Sequence, residues 1–170
     1  MFVVDTNVLF HAVDRGSPYH EPCVSALSRW RTQPEAWFVT WSILYEFLRL
    51  VTHPRKMRRP VGPRAGWQLV EGLLASPGLR VLVATDRHAE VTRAVIEETP
   101  GVTGNLAHDI HIATLMREHG VRRIYTRDAD FFRFPFLEPV DPVRPVAPPG
   151  TAEPVARYRA ARGRRRRAAR

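Results

Sequence analysis

Cysteine is almost missing from this sequence: 170 residues carry one, Cys23. A lone thiol excludes an internal disulfide. With no second sulfur at zinc-ligand spacing, the chain reads as a cytoplasmic protein of a reducing compartment, and Cys23 as a plain helix residue. Lysine is as scarce, since Lys56 is the only one among 26 basic residues. A phosphoacceptor signalling domain wants a lysine at a late strand end, and Lys56 falls in a loop after a helix, which argues against that class. Long apolar runs are missing too. None approaches the roughly 18 residues of a membrane span, and Asp5 interrupts the only apolar start, so neither a leader nor a membrane partner is expected.

What is present suffices for one core: 44% of the residues are hydrophobic, enough at this length to fold without a disulfide or a structural metal. The net charge is +9, but eight arginines between Arg157 and Arg170, with no acid among them, account for nearly all of it. The body is close to neutral. The basic end supplies non-specific attraction to a polyanion and does not identify a site. Seven prolines from Pro135 to Pro154 lead into it, so residues 1–142 read as the domain and 143–170 as a Pro/Arg-rich tail, extended or disordered.

Strands and helices alternate through the body. Phe2-Val3-Val4 is an uninterrupted, half β-branched run of the kind buried on both faces of a parallel sheet, and Asp5 ends it. Val8-Leu9-Phe10 is a short apolar stretch before a turn at Asp14-Arg15-Gly16. Ser17-Pro18 reads as a cap and first helical proline, opening a helix to about Trp30 with Val24, Leu27 and Trp30 inward. Trp37-Phe38-Val39 is a second strand. Ile43, Phe47, Leu48 and Val51 stripe a helix from Ser42 to Thr52, with Glu46 off the stripe's centre; His53-Pro54 ends it. A helix over 64–75, a strand over 80–84, a helix from Thr85 or Asp86 to Glu98, and a helix over 106–119 capped by Asn105 and stopped by Gly120 follow. Ile124-Tyr125-Thr126 and a short strand within Phe136–Val140 finish the sheet. The expected fold is a three-layer α/β/α sandwich with a mainly parallel central sheet and right-handed crossovers.

In a parallel sheet, ligands collect at the carboxyl ends of the strands. Asp5 and Asp128 follow strands, Glu46 lies inside a helix, and Asp109 stands near a helix start, where the unpaired amides favour a carboxylate. Asp130 is a fifth acid beside Asp128. Each alone has a plain reading: Asp5 as a helix cap, Glu46 as a solvated helix residue, Asp109 as a complement to the dipole, and Asp128-Ala129-Asp130 as a turn. Gathered together they repel, because each carboxylate raises its neighbour's pKa unless a cation neutralises them. An all-oxygen donor set suits Mg²⁺ or Mn²⁺ better than zinc, and such an ion assists phosphodiester hydrolysis. Thr6, Asn7 and Thr126 are positioned to orient Asp5, Asp128 or a water. His108 and His111 flank Asp109 without having to share its face, which leaves their part open. Trp30, Trp37, Trp41 and Trp67 read as core or interface.

The opening VVDTNVL, the helix with YEFLRLVTHPR, the GNLAHDIHIATL helix, and TRDADF followed by FPFLEPVDP together resemble the PIN-domain nucleases, specifically VapC-type toxins of bacterial toxin–antitoxin pairs. The resemblance runs from Met1 to Pro142. It implies a metal-dependent ribonuclease using Mg²⁺ or Mn²⁺, with Asp5, Glu46, Asp109 and Asp128 on the family's acidic cluster and Asp5, Asp109 and Asp128 as metal ligands. Asn7, Thr126 and Asp130 fall on supporting positions. It also implies an RNA substrate, a homodimer and a cognate antitoxin. The tail after Pro142 departs from the family pattern. The competing class is a non-catalytic RNA-binding module whose acids are structural.

Overall fold

The computed structural model describes residues 1–99 and 101–144, apart from the side chain of Asn105. Five strands, β1 (Phe2–Val4), β2 (Trp37–Thr40), β3 (Leu79–Leu82), β4 (Arg123–Tyr125) and β5 (Glu138–Val140), form one sheet in the order β3-β2-β1-β4-β5. Every pairing is parallel. The central strand β1 has Val3 and Val4 fully buried, as its unbroken apolar run requires in a sheet covered on both faces.

Among the described residues six α-helices connect the strands: α1 (Thr6–Val13), α2 (His20–Thr32), α3 (Trp41–Thr52), α4 (Pro63–Leu74), α5 (His88–Glu98) and α6 (Ala107–Glu118). The steps β1 to β2 and β2 to β3 move one way across the sheet, and β3 to β4 moves back past β1. Right-handed crossovers therefore put α1 to α4 on one face and α5 with α6 on the other. The packing agrees: α1 lies on α2 and α3, α3 on α4, and α5 on α6. Gly66 brings α4 close to α3, since a Cβ there would stand 2.8 Å from Leu48 Cδ1. Among the described residues no helix is long and apolar enough to cross a membrane.

The sheet reverses its winding between β1 and β4. This is where a doubly wound sheet opens a crevice at the carboxyl ends of its strands, and Asp5 and Thr126 are the residues that leave those two strands.

Several expectations need correction. Val8-Leu9-Phe10 belongs to α1, capped by Asp5, whose carboxylate accepts from the Thr6 amide; Thr6, Val8, Leu9 and Ala12 are its buried residues. Helix α2 starts at His20 rather than at Ser17-Pro18, because Ser17 Oγ instead accepts from the Tyr19 amide and closes a preceding turn; Cys23, Ala26 and Trp30 are buried, with Val24 and Leu27 only partly so. Helix α5 starts at His88, since Thr85 and Asp86 sit in the turn before it. Asn105 does not cap α6; it lies within a 3-10 turn, Gly104–Leu106, and the cap position is Leu106. Strand β4 ends at Tyr125, one residue before Thr126, and β5 is confined to Glu138–Val140. The tail expected to be extended or disordered lies, from residue 145 on, outside the described residues.

Candidate active site

Asp5, Asn7, Glu46, Asp109, Asp128 and Asp130 line one crevice of about 450 Å³. It stands over the winding reversal, and each layer contributes to it: β1 delivers Asp5, α3 brings Glu46 from one helical face, α6 brings Asp109 from the other, and the chain leaving β4 supplies Asp128. Thr126 does not line the crevice but holds its deepest member. Its hydroxyl donates to Asp5 Oδ2 (2.6 Å) and accepts from Asn7 Nδ2 (3.0 Å) and from the Asp128 amide (2.9 Å). Asn7 also donates to Asp5 Oδ2 and accepts from the Arg127 amide. The strand ends are thus tied together through side chains. Asp128 caps the 3-10 turn Ala129–Arg133 by accepting from the Asp130 amide, and Asp130 pairs with Arg133 at 3.0 Å.

The pattern of the PIN domain family matches residues 2–137. The chain belongs to the PIN-domain family. Ribonuclease VapC48 of Mycobacterium tuberculosis is 31% identical to this PIN domain over 138 residues, covering 81% of this chain and 94% of that one. Two solved structures share the fold at lower identity. Mycobacterium tuberculosis VapC20, described as a sarcin-ricin loop cleaving toxin, superposes with a TM-score of 0.57 at 21% identity, over 78% of this chain and 93% of that one. VapBC2 of Rickettsia felis, bound to a DNA fragment from its promoter, gives 0.59 at 15% identity over 82% and 96%.

The acids of this PIN domain are not electrostatically equal. Burial pushes the Asp5 carboxyl up to about 7; hydrogen bonds from Thr126 and Thr6 oppose this, and the charges of Asp109 and Asp128 add to it. Asp109 is raised to about 6, again first by burial and then by Asp128, with His108 opposing. Glu46 goes the other way, to about 2. The main cause is His108, whose Nε2 sits 3.2 Å from Glu46 Oε2. Burial opposes the shift, and Thr6 Oγ1 and Arg49 contribute to it. Glu46 in turn raises His108.

Two residues whose role the sequence did not fix therefore belong here. His108 faces the crevice, whereas His111 turns away and packs edge-on against His88, 5.5 Å between ring centroids. Lys56 lines the crevice as well. The His108–Glu46 pairing joins α3 to α6, and no local spacing signals it.

The donor set fits a hard divalent cation in kind. It is all oxygen, Asp5, Asp109 and Asp128 form no ion pair with a basic side chain among the described residues, and like charges add to burial in raising Asp5 and Asp109. No three acidic or imidazole groups among the described residues already stand at the mutual spacing of a closed metal centre. The crevice thus holds the right ligands without the final geometry.

Proposed function

We propose that this PIN domain is a divalent-cation-dependent endoribonuclease and the toxin of a toxin–antitoxin pair. One observation carries the reading: four separated acids meet at the winding reversal, and burial with mutual repulsion lifts the two innermost, Asp5 and Asp109, toward neutral pH. The identity to VapC48 supports RNA as the substrate, and the VapBC2 complex supports an antitoxin partner. A homodimer and a cytoplasmic location complete the reading.

Asp5, Asp109 and Asp128 would hold Mg²⁺ or Mn²⁺. Such an ion polarises the phosphodiester, stabilises the leaving oxygen and lowers the pKa of an attacking water. The chain's own residues prepare the site. Thr126 and Asn7 fix the Asp5 carboxylate, so its rotamer is set before substrate arrives. Glu46, kept ionised by His108, holds a permanent negative charge on the α3 side of the crevice; with its pKa at about 2 it is too weak a base to take a proton and serves to orient a water or a cation-bound group. Lys56 offers a cation to an incoming phosphate.

The test is cleavage of a defined RNA set with Mn²⁺ and with chelator, by wild type and Asp5→Ala. A product that needs the ion and is lost in the variant supports the reading. RNA binding without metal-dependent cleavage would replace it with the non-catalytic module.

A further inference from the structure

Beside the acidic crevice lies a second cavity of about 390 Å³, opening between the ends of β4 and β5. The two share Asp128. One wall is Phe132, in the 3-10 turn that begins directly after Asp128. Its ring is 71% exposed, while Phe131 and Phe134, on either side, are each 1% exposed. The fold buries those two rings and leaves the third at the edge of the cavity, where its face is open to a ligand.

Two arginines line the same cavity, both paired with Asp141. Arg127 pairs with Asp141 at 3.3 Å and lies with its guanidinium 3.3 Å from the centroid of the Tyr19 ring, so it is held in place. Arg144 reaches the same Asp141 at 3.8 Å with its side chain 82% exposed. Lys56 lines the acidic crevice itself, and a third hollow is lined by Arg15, Arg58 and Arg59 together with Asp14. A polyanion at the acids would meet a cation in the crevice, two arginines in the adjoining cavity and one aromatic face beside Asp128.

We propose that this cavity is a base-binding subsite: one unpaired base of single-stranded RNA, adjacent to the phosphodiester at the acids, stacks on Phe132 while Arg127 and Arg144 engage its edge or its phosphate. The proposal deepens the ribonuclease reading and rests on it. Single-stranded RNA fits better than a duplex, because only an unpaired base can turn its face onto an aromatic ring. The shape also selects: a cavity of this size accepts a base beside the crevice but not a helix groove.

Binding is measured in chelator, where nothing is cut, with short RNA oligomers carrying 2-aminopurine at successive positions. Wild type should quench the fluorescence at one position. Phe132→Ala should lose that quench and weaken binding roughly tenfold; with Mn²⁺ it should raise KM more than it lowers kcat. Phe132→Tyr should restore both signals, and Phe132→Leu, apolar but without a π face, should not. Ile96→Ala, a surface change on α5, should behave as wild type. Equal affinity and quench in wild type and Phe132→Ala would overturn the subsite, as would rescue by leucine. A change in sedimentation mass with unaltered RNA binding would also overturn it and make Phe132 a protein contact. Quenching at one position by a wild type that never cleaves with Mn²⁺ would uphold the stack and sink the ribonuclease reading instead.

Discussion

Two carboxylates of this chain are withdrawn from water, and they behave oppositely. Glu118, at the end of α6, has a side chain only 1% exposed. Burial raises its pKa, but the Thr85 hydroxyl, His88 Nδ1 (2.7 Å) and the Thr85 amide (3.0 Å) overcome burial and bring it below the ordinary value. Asp5 also accepts three hydrogen bonds, yet it is pushed up to about 7. The difference lies first in burial, which outweighs the hydrogen bonds at Asp5 but not at Glu118, and then in the company. Glu118 faces an imidazole that can carry positive charge, whereas Asp109 and Asp128 add to the effect of burial at Asp5. Burial that its hydrogen bonds do not offset, with like charges adding to it, sets Asp5 apart.

The largest expected effect breaks the contrast at the crevice. Asp109→Asn removes one of the uncompensated charges, and metal-dependent RNA cleavage should fall by more than about a hundredfold, since even residues behind the ligands cost 10- to 100-fold. Its far-UV circular dichroism should stay native, which separates lost chemistry from lost structure. At the other pole, Glu118→Ala leaves the Thr85 amide and hydroxyl and His88 Nδ1 without an acceptor. Urea unfolding should show a loss of roughly 2 kcal/mol, while cleavage per folded molecule stays at the wild-type rate.

Thr126→Val sharpens the comparison by stripping one stabilising donor from Asp5. It should lift the Asp5 pKa further and lower Mn²⁺ affinity roughly tenfold, measurable by calorimetric titration. The smallest effect is in pH. Asp5 and Asp109 bind protons more tightly folded than unfolded, so their contribution to stability is full below about pH 4 and is lost as pH rises through 6 and 7. Glu46 has the opposite sign, contributing above its ordinary 4.5 and losing that as pH falls toward 2. Mn²⁺ should therefore raise the melting temperature a few degrees more at pH 8 than at pH 5, where protons compete for the same oxygens. Equal shifts at both pH values would remove the repulsion argument.

The sequence carried the sandwich well because its signals are local. Phe2–Val4 has no polar interruption, and the apolar stripe of α3 repeats at helical spacing, so each element announces itself. Helix α1 is harder to read: Asp5 taken alone reads as a helix cap, and Val8, Leu9 and Ala12 follow helical spacing, but the apolar run is short and the same residue also ends β1. The acids could be gathered from their positions relative to strands and helices. The inequality among them could not, because it depends on His108 meeting Glu46 across 62 positions and on Thr126 meeting Asp5 across 121. Phe132 was invisible for a similar reason, as nothing in a run of aromatics says which ring faces out.

The central strand is made from the first residues of the chain, yet the groups that complete its crevice come from α6 and from beyond β4. Asp5 is made more than a hundred residues before Asp109 and Asp128, so the crevice stays incomplete until α6 and the end of β4 are in place. A product that ends before β4 has neither the reversal in the sheet nor the cluster above it.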